Sequence, residues 1–299
     1  MRLTNVDDFF AYARERYIIH LRRLAGRPKP WTADPVLQQY RFCNIFREDD
    51  TVTQWIRQRL TSVGYGPRLL GALVIARWFN RIETLERLLP PAGCEWPYYR
   101  SNLLYNWDQQ EAWRIAMRER LEGISPLVTG AYMIKTPAGK NKLEGLLWCL
   151  GEILPDAIHL ANHIEPGETT LEGVHGVLKE YPYLGAFMAY EIVTDLRHSL
   201  LSEAPDIMTW ASAGPGAARG LARVTGQPLG TWRYSFPKHQ QELIAGMRCL
   251  LQSSQEEKHW PAEWPRWEMR EVEHTLCEFD KYMRACNGEG QPKQRYKGT

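Results

Sequence analysis

Three stretches of this chain put chemistry-bearing residues at spacings suited to an anion. GPGAARG sets glycines at 214, 216 and 220, with Arg219 one turn into the helical pattern that follows. A glycine-lined helix N-terminus can receive a phosphate or pyrophosphate, and a tight interhelix turn needs the same glycines. GVLKEYPYLGAFMAYEIVTDL breaks one amphipathic pattern at Tyr181-Pro182-Tyr183-Leu184-Gly185 and starts another at once. Such a turn presents backbone N–H groups and a helix N-terminus to an anion, or simply joins two helices of an αα-hairpin. Asp206, 21 residues beyond Gly185, heads the helix-like DIMTW, where a carboxylate can cap a helix or do chemistry.

The elements that must position these residues read as helices. Leu171, Val174 and Leu178 share one helical face, as do Ala189, Ile192, Val193 and Leu196. Thr169 and Glu172 have the spacing of a capping box. At the N-terminus Phe10, Ala13, Tyr17, Leu21 and Leu24 form an apolar stripe. A second helix is expected from Pro35 through Arg47, then a third in TVTQWIRQRL, capped by Asp49 or Asp50. Pro67 to Leu89 reads as one strong helix with Leu69, Leu70, Leu73 and Val74 inward. Residues 90–107 read as irregular, and 131–142 as strand-like or looped with a Thr-Pro-Ala-Gly turn. Helices resume from Leu143. The expected fold class is mainly α. An N-terminal helical region, residues 1–130, and a helix-hairpin-helix catalytic region, residues 131–299, are expected, either as two closely packed parts or as one domain.

Composition excludes several classes. With 44% hydrophobic and 24% charged residues, the chain of 299 is of ordinary globular type. Net charge is only +2, but residues 1–30 hold seven Arg/Lys against three Asp/Glu, and Lys293, Arg295 and Lys297 lie in the last nine residues without an acid. Two basic ends on a near-neutral body suit a localised phosphate-facing surface. Most of the twelve Trp are expected in the core. The six cysteines form no C-x-x-C pair, which argues against zinc and iron–sulfur clusters. There is no G-x-x-x-x-G-K-[ST], no H-E-x-x-H and no G-x-S-x-G. No secretory signal or membrane-length apolar run is seen, so a reducing cytoplasm, with no membrane, is the expectation.

The order hairpin, helix, Asp206, then a helix ending in Gly resembles the helix-hairpin-helix DNA glycosylases. The resemblance implies a glycosylase-like helical fold in which Tyr183, Leu184, Gly185 and Phe187 hold the DNA backbone. It also implies that Asp206 stabilises positive charge on an extruded nucleoside. Tyr183 replaces a family glycine, and Ala189 stands where bifunctional members carry a lysine nucleophile, so strand cleavage by that route is not expected. A second resemblance covers more of the chain. The blocks at 30–56, 130–144, 181–198, 206–224 and 271–296 are similar, in order, to the phage α-glutamyl/putrescinyl-thymine pyrophosphorylases, viewed as amino acid:DNA transferases. A related helical domain accompanies phage 5-hydroxymethyluracil DNA kinases.

This resemblance implies thymine hypermodification. An upstream DNA kinase pyrophosphorylates hydroxymethyluracil in double-stranded phage DNA, inside the infected bacterial host's cytoplasm. The transferase then displaces pyrophosphate with a free amino acid, on a base extruded from the stack. A monofunctional DNA glycosylase is the alternative, and a non-catalytic DNA-binding module a third. The leaving group calls for cations: Arg41 and Arg47 in RFCNIFRE, Lys135 and Lys140 in IKTPAGK, and Arg219. The incoming ammonium must lose a proton, and Asp206, Asp195, Glu278 and Asp280 compete to accept it, with Asp206 and Asp280 taken as the catalytic pair. Asn44 can orient the base edge or cap its own loop. Cys43 reads as a small hydrophobe. Glu48-Asp49-Asp50 invites Mg2+ travelling with pyrophosphate, but helix capping explains the same acids and no metal ligand is assigned. Lys293 and Arg295 in the tail GEGQPKQRY are expected on DNA.

Overall fold

The computed structural model describes residues 3–60, 66–89, 110–129 and 136–296. Among them lie twelve α-helices and no strand, only an isolated antiparallel bridge between Tyr40 and Arg295. The fold is mainly α, as the periodicity predicts. No described helix is long and apolar enough to cross a membrane. The chain forms two units, and they are not the consecutive regions expected on either side of residue 130. One comprises Met1–Asp50 with Asp206–Thr299, and the other Thr51–Pro205.

The 51–205 unit contains α3 (Thr51–Leu60), α4 (Pro67–Phe79), α5 (Ile82–Leu88), α6 (Gln110–Leu121), α7 (Lys142–Ala161), α8 (Leu171–Leu178) and α9 (Gly185–Leu196). Helices α6 and α7 pack together across the expected boundary, tied by a two-pronged Arg118–Glu144 pair at 2.6 and 2.7 Å. The expected 67–89 helix is two helices. Asn80 adopts a left-handed φ of 48° and its side chain accepts from Arg77, which ends α4. Leu70, Leu73, Val74 and Trp78 are buried, as are Ile192, Val193 and Leu196 of α9. Arg77 and Asp195 meet inside this apolar packing. Arg77 Nη2 donates to Asp195 Oδ1 at 2.6 Å and to Thr53 at 2.7 Å, and Nη1 donates to Asn80 at 2.9 Å. Asp195 is therefore a buried tie and not a free base. The cap of α8 is Thr170, whose hydroxyl accepts from Gly173 N, while Thr169 accepts from Glu165 N one turn earlier.

The other unit contains α1 (Val6–Leu24), α2 (Pro35–Gln39), α10 (Pro215–Thr225), α11 (Pro237–Ser253) and α12 (Met269–Cys286). Its core is aromatic: Phe9, Phe10, Tyr17, Phe279, Trp260 and Trp267 meet edge-to-face or tilted at 5.1–5.9 Å. That arrangement suits the ring quadrupoles and accounts for some of the tryptophan content. The α1 stripe holds only through Tyr17, since Leu21 and Leu24 are exposed. The expected 35–47 helix stops at Gln39. From there tertiary partners claim the backbone: Arg41 N donates to Gln294 O, Tyr296 N to Gln39 O, and Phe42 O accepts from Arg16. The stretch DIMTW is a turn in which Asp206 O accepts from Thr209 N and Trp210 N, not a helix.

Candidate functional site on helix α12

Helix α12 carries charged residues on two faces. The first meets α10, and small residues make the approach possible. A Cβ on Gly220 would stand 2.2 Å from Leu276 O, and one on Gly216 would stand 2.8 Å from Cys277 Sγ. The GPGAARG glycines therefore serve close helix packing. At the α10 N-terminus Gly214 N donates to the chain's own Glu273 carboxylate at 3.2 Å, so an internal anion already lies there. Arg219 points instead to Asp280. That carboxylate, 1% exposed, accepts from Arg219 Nε at 2.8 Å and Arg223 Nε at 2.9 Å, with Arg284 Nε at 3.5 Å. Glu289 joins Arg223 on its outer side and is held down to about 2 by hydrogen bonds from Arg223 and Asn287. Burial alone would lower the Arg223 pKa, but its bonds to Glu289 and Asp280 outweigh that and raise it. Three guanidiniums thus share two carboxylates.

The second face of α12 meets segment 42–50 and α1. Glu278 accepts from Cys43 N at 2.8 Å and pairs with Lys281 at 2.6 Å. Burial works to raise its pKa, but Lys281, His274 and the Cys43 amide prevail and hold it below the ordinary carboxylate range. Glu278 is consequently ionised at neutral pH. Arg16, 2% exposed, donates to Phe42 O at 3.0 Å and to Asn44 Oδ1 at 2.5 Å. Asn44 in turn donates to Asp49 O at 2.7 Å. Arg270 gathers Glu48, Glu271 at 2.8 Å and Glu268 at 3.5 Å, and His20 faces Asp49 at 3.2 Å. Two of the three acids that could invite magnesium, Glu48 and Asp49, thus have cationic or histidine neighbours. Among the described residues no group of three or more His, Cys, Asp or Glu could hold a metal ion.

Comparison with known proteins adds the family. Residues 4–292 match the family described as 5-hmdU DNA kinase, helical domain. The chain belongs to that family. It is also 29% identical, over 237 residues, to a protein of Bacillus phage SP10 named 5-hmdU DNA kinase. The match takes in 73% of this chain and 36% of that protein, so the chain spans about a third of its relative's length. No solved structure matches.

The helical-domain fold distributes the residues singled out in the sequence as follows. Asn44, Arg219 and Asp280 lie in the unit containing α12, with Asn44 on one face of that helix and Arg219 and Asp280 on the other. Asp280, expected as a catalytic carboxylate, has both its oxygens occupied by arginine donors. Arg41 is exposed and Arg47 half-buried in a 3-10 turn, not on one helix. Asp206 is half-buried in its turn. Lys293 and Arg295 are exposed beside α2. Lys140 lies in the other unit, over the Trp148 ring at 6.0 Å, and Lys135 falls outside the described residues. In that same unit Tyr183 (φ 65°) and Gly185 (φ 64°) form the hairpin turn. Tyr183 and Phe187 are 45% and 56% exposed, whereas Leu184, expected beside them on DNA, is buried. The His175 Nε2–H and Ala186 carbonyl, 3.0 Å apart, tie the two helices of the hairpin together. Sequence reasoning missed Arg16 and His20. Their signal was present, because they continue the Phe9–Ala13 stripe at helical spacing as polar residues on an apolar face.

Proposed function

We propose that this chain is an amino acid:DNA transferase that displaces pyrophosphate from 5-pyrophosphorylmethyl-deoxyuridine in double-stranded phage DNA. The observation that carries the reading is the α10–α12 arginine cluster. It holds three guanidiniums against two carboxylates, with the Arg219 and Arg284 side chains 37% and 41% exposed. A pre-organised surplus of positive charge suits the departing pyrophosphate, whose charge grows as the bond breaks. Family membership supports a substrate derived from 5-hydroxymethyluracil.

In this proposal the amine's lone pair forms the C–N bond to the 5-methylene carbon. The C–O bond breaks, pyrophosphate leaves with the electron pair, and the amine's proton passes to a carboxylate. Asp206 is the proposed acceptor, Asp280 the residue that sets the arginines, and Tyr183, Gly185 and Phe187 the DNA-gripping turn. A kinase acting earlier in the infected cell's cytoplasm supplies the substrate, and free amino acid is the donor. The test is nucleoside mass spectrometry of pyrophosphorylated hydroxymethyluracil DNA after incubation with the protein and the common amino acids. A nucleoside carrying one amino acid, with pyrophosphate released, supports the proposal. Loss of the base with an abasic sugar left behind would replace it with a glycosylase. A second reading is favoured by the match to about a third of a longer kinase: a domain that holds DNA for a kinase domain. It predicts unchanged nucleosides, and faster phosphorylation when a kinase is added.

A further inference from the structure

The two basic ends of the chain, remote in sequence, meet in one place. The last turn of α1 and the loop after it carry Arg22, Arg23, Arg27 and Lys29, all exposed. The bridge between Tyr40 and Arg295 lays the C-terminal segment beside residues 39–41, through Arg41 N to Gln294 O at 3.0 Å and Tyr296 N to Gln39 O at 3.1 Å. Arg41, Lys293 and Arg295 are exposed along this junction. Trp31 and Tyr296 fasten the two groups together, with ring centroids 5.6 Å apart. Lys29 Nζ lies between those rings, 5.4 Å from one and 5.3 Å from the other, and Arg23 covers Trp31 at 5.4 Å. Arg295 packs over Tyr40 at 5.2 Å. Trp31 is itself fixed by its indole N–H to Arg27 O at 2.7 Å, and Trp31 O accepts from Arg22.

The charge pattern here differs from that around α10 and α12. Arg219, Arg223, Arg270 and Arg284 all have carboxylate neighbours within 4 Å. Among the described residues no carboxylate pairs with Arg22, Arg23, Arg27, Arg41, Lys293 or Arg295. Exposed cations such as Arg23 and Arg295, held in place by aromatic faces and with no carboxylate pairing among the described residues, form a surface for a polyanion. The rings are largely occupied in holding cations, which favours contact with a backbone over stacking of bases.

We propose that this junction of the α1 C-terminus with the C-terminal segment is a sequence-independent DNA-backbone surface, separate from the 181–187 hairpin and from the arginine cluster around Asp280. The proposal concerns how DNA is held, and builds on the reading of the chain as a DNA-modifying protein without requiring transfer activity. Each phosphate neutralised contributes about −0.9 to the slope of log K against log salt for duplex DNA. The experiment measures binding of the full chain to a fluorescent, unmodified 25-base-pair duplex between 50 and 300 mM KCl. It compares wild type, the triple variant Arg23→Gln/Arg27→Gln/Arg295→Gln, and a control, Arg233→Gln/Lys238→Gln, that removes exposed charge elsewhere in the unit. Circular dichroism and melting of each variant check that the fold is kept. The expected result is a slope shallower by about 2 to 3 for the triple variant and affinity at 100 mM salt lower by at least about tenfold. The control should change the slope by less than one. Equal slopes for triple variant and wild type, or a control as weak as the triple, would overturn the proposal. So would a wild type that binds no duplex even at 50 mM salt. Because binding is read on unmodified DNA, failed amino-acid transfer with an intact salt effect would count against the transferase alone.

Discussion

Replacing Asp280 by Asn separates two accounts of this residue. As a positioning anion it neutralises Arg223, whose side chain is 10% exposed, and steadies Arg219 and Arg284. As a proton acceptor it would have to reach substrate. Removing one partner of a buried ion pair costs about 3–5 kcal/mol. Arg219 and Arg284 are each more than a third exposed, so water screens their share and the Arg223 pair dominates. The expected loss is therefore at the lower end, ~3 kcal/mol. At about 2–4 °C per kcal/mol for a chain of this size, the melting midpoint should fall by roughly 6–12 °C. Urea and thermal unfolding of wild type, Asp280→Asn, Arg223→Gln and the double variant would measure both the loss and the coupling between the two residues. A loss under about 1 kcal/mol with no coupling, accompanied by collapse of transfer activity, would refute the positioning account and return Asp280 to the chemistry.

Three further outcomes are expected. Gly220→Ala drives a Cβ to 2.2 Å from Leu276 O and should cost about 3 kcal/mol by urea unfolding, whereas Gly176→Ala, with open space around it in α8, should add about 0.5–1 kcal/mol. Burial raises Glu271 to about 7 despite Arg270 beside it, so the folded state keeps a proton that the unfolded chain has released. This group's contribution therefore falls as pH rises from about 4.5 to 7, by ~3 kcal/mol, and Glu271→Gln should flatten that decline in urea titrations at successive pH values. Cys43 is an exposed residue whose thiol lies in packed surroundings; their desolvation, and then Glu278, push it up to about 12. Alkylation followed by mass spectrometry should find Cys43 more than about tenfold slower than a free thiol at pH 8, and equal rates would contradict the charge environment described for Glu278.

Periodicity carried much of the fold. The α8 and α9 helices were legible because their apolar residues recur at helical spacing, although α9 is buried all round from Met188 to Leu196 and not on that face alone. The 35–47 segment was not legible. Its composition permits a helix, but the Phe42 carbonyl is claimed by Arg16 and the Arg41 amide by Gln294, partners 26 and more than 250 residues away. Asn80 hid a helix break because one left-handed residue leaves little trace in an otherwise continuous apolar pattern. In the site, Arg219 and Asp280 could be singled out by type, but their pairing could not, because it depends on how α10 crosses α12. The glycines at 216 and 220 were visible, and their use as a contact surface was not. Leu184 escaped the sequence pattern because a hairpin's sequence does not say which of its apolar residues turns inward.

The division of the chain has a consequence for the order of synthesis. Residues 51–205 are contiguous, so everything that unit packs against within itself has left the ribosome once Pro205 emerges. The first fifty residues belong to the other unit, and α1 has no α10 or α12 to cover Phe9 and Phe10 until more than two hundred further residues are made. An amphipathic helix waits with its apolar face uncovered through most of translation, and its unit can close only by contacts of very long sequence separation. Folding of that unit is therefore set by the arrival of the C-terminal end. A stalled or truncated chain would present a finished inner unit trailing an unpaired, aggregation-prone N-terminus.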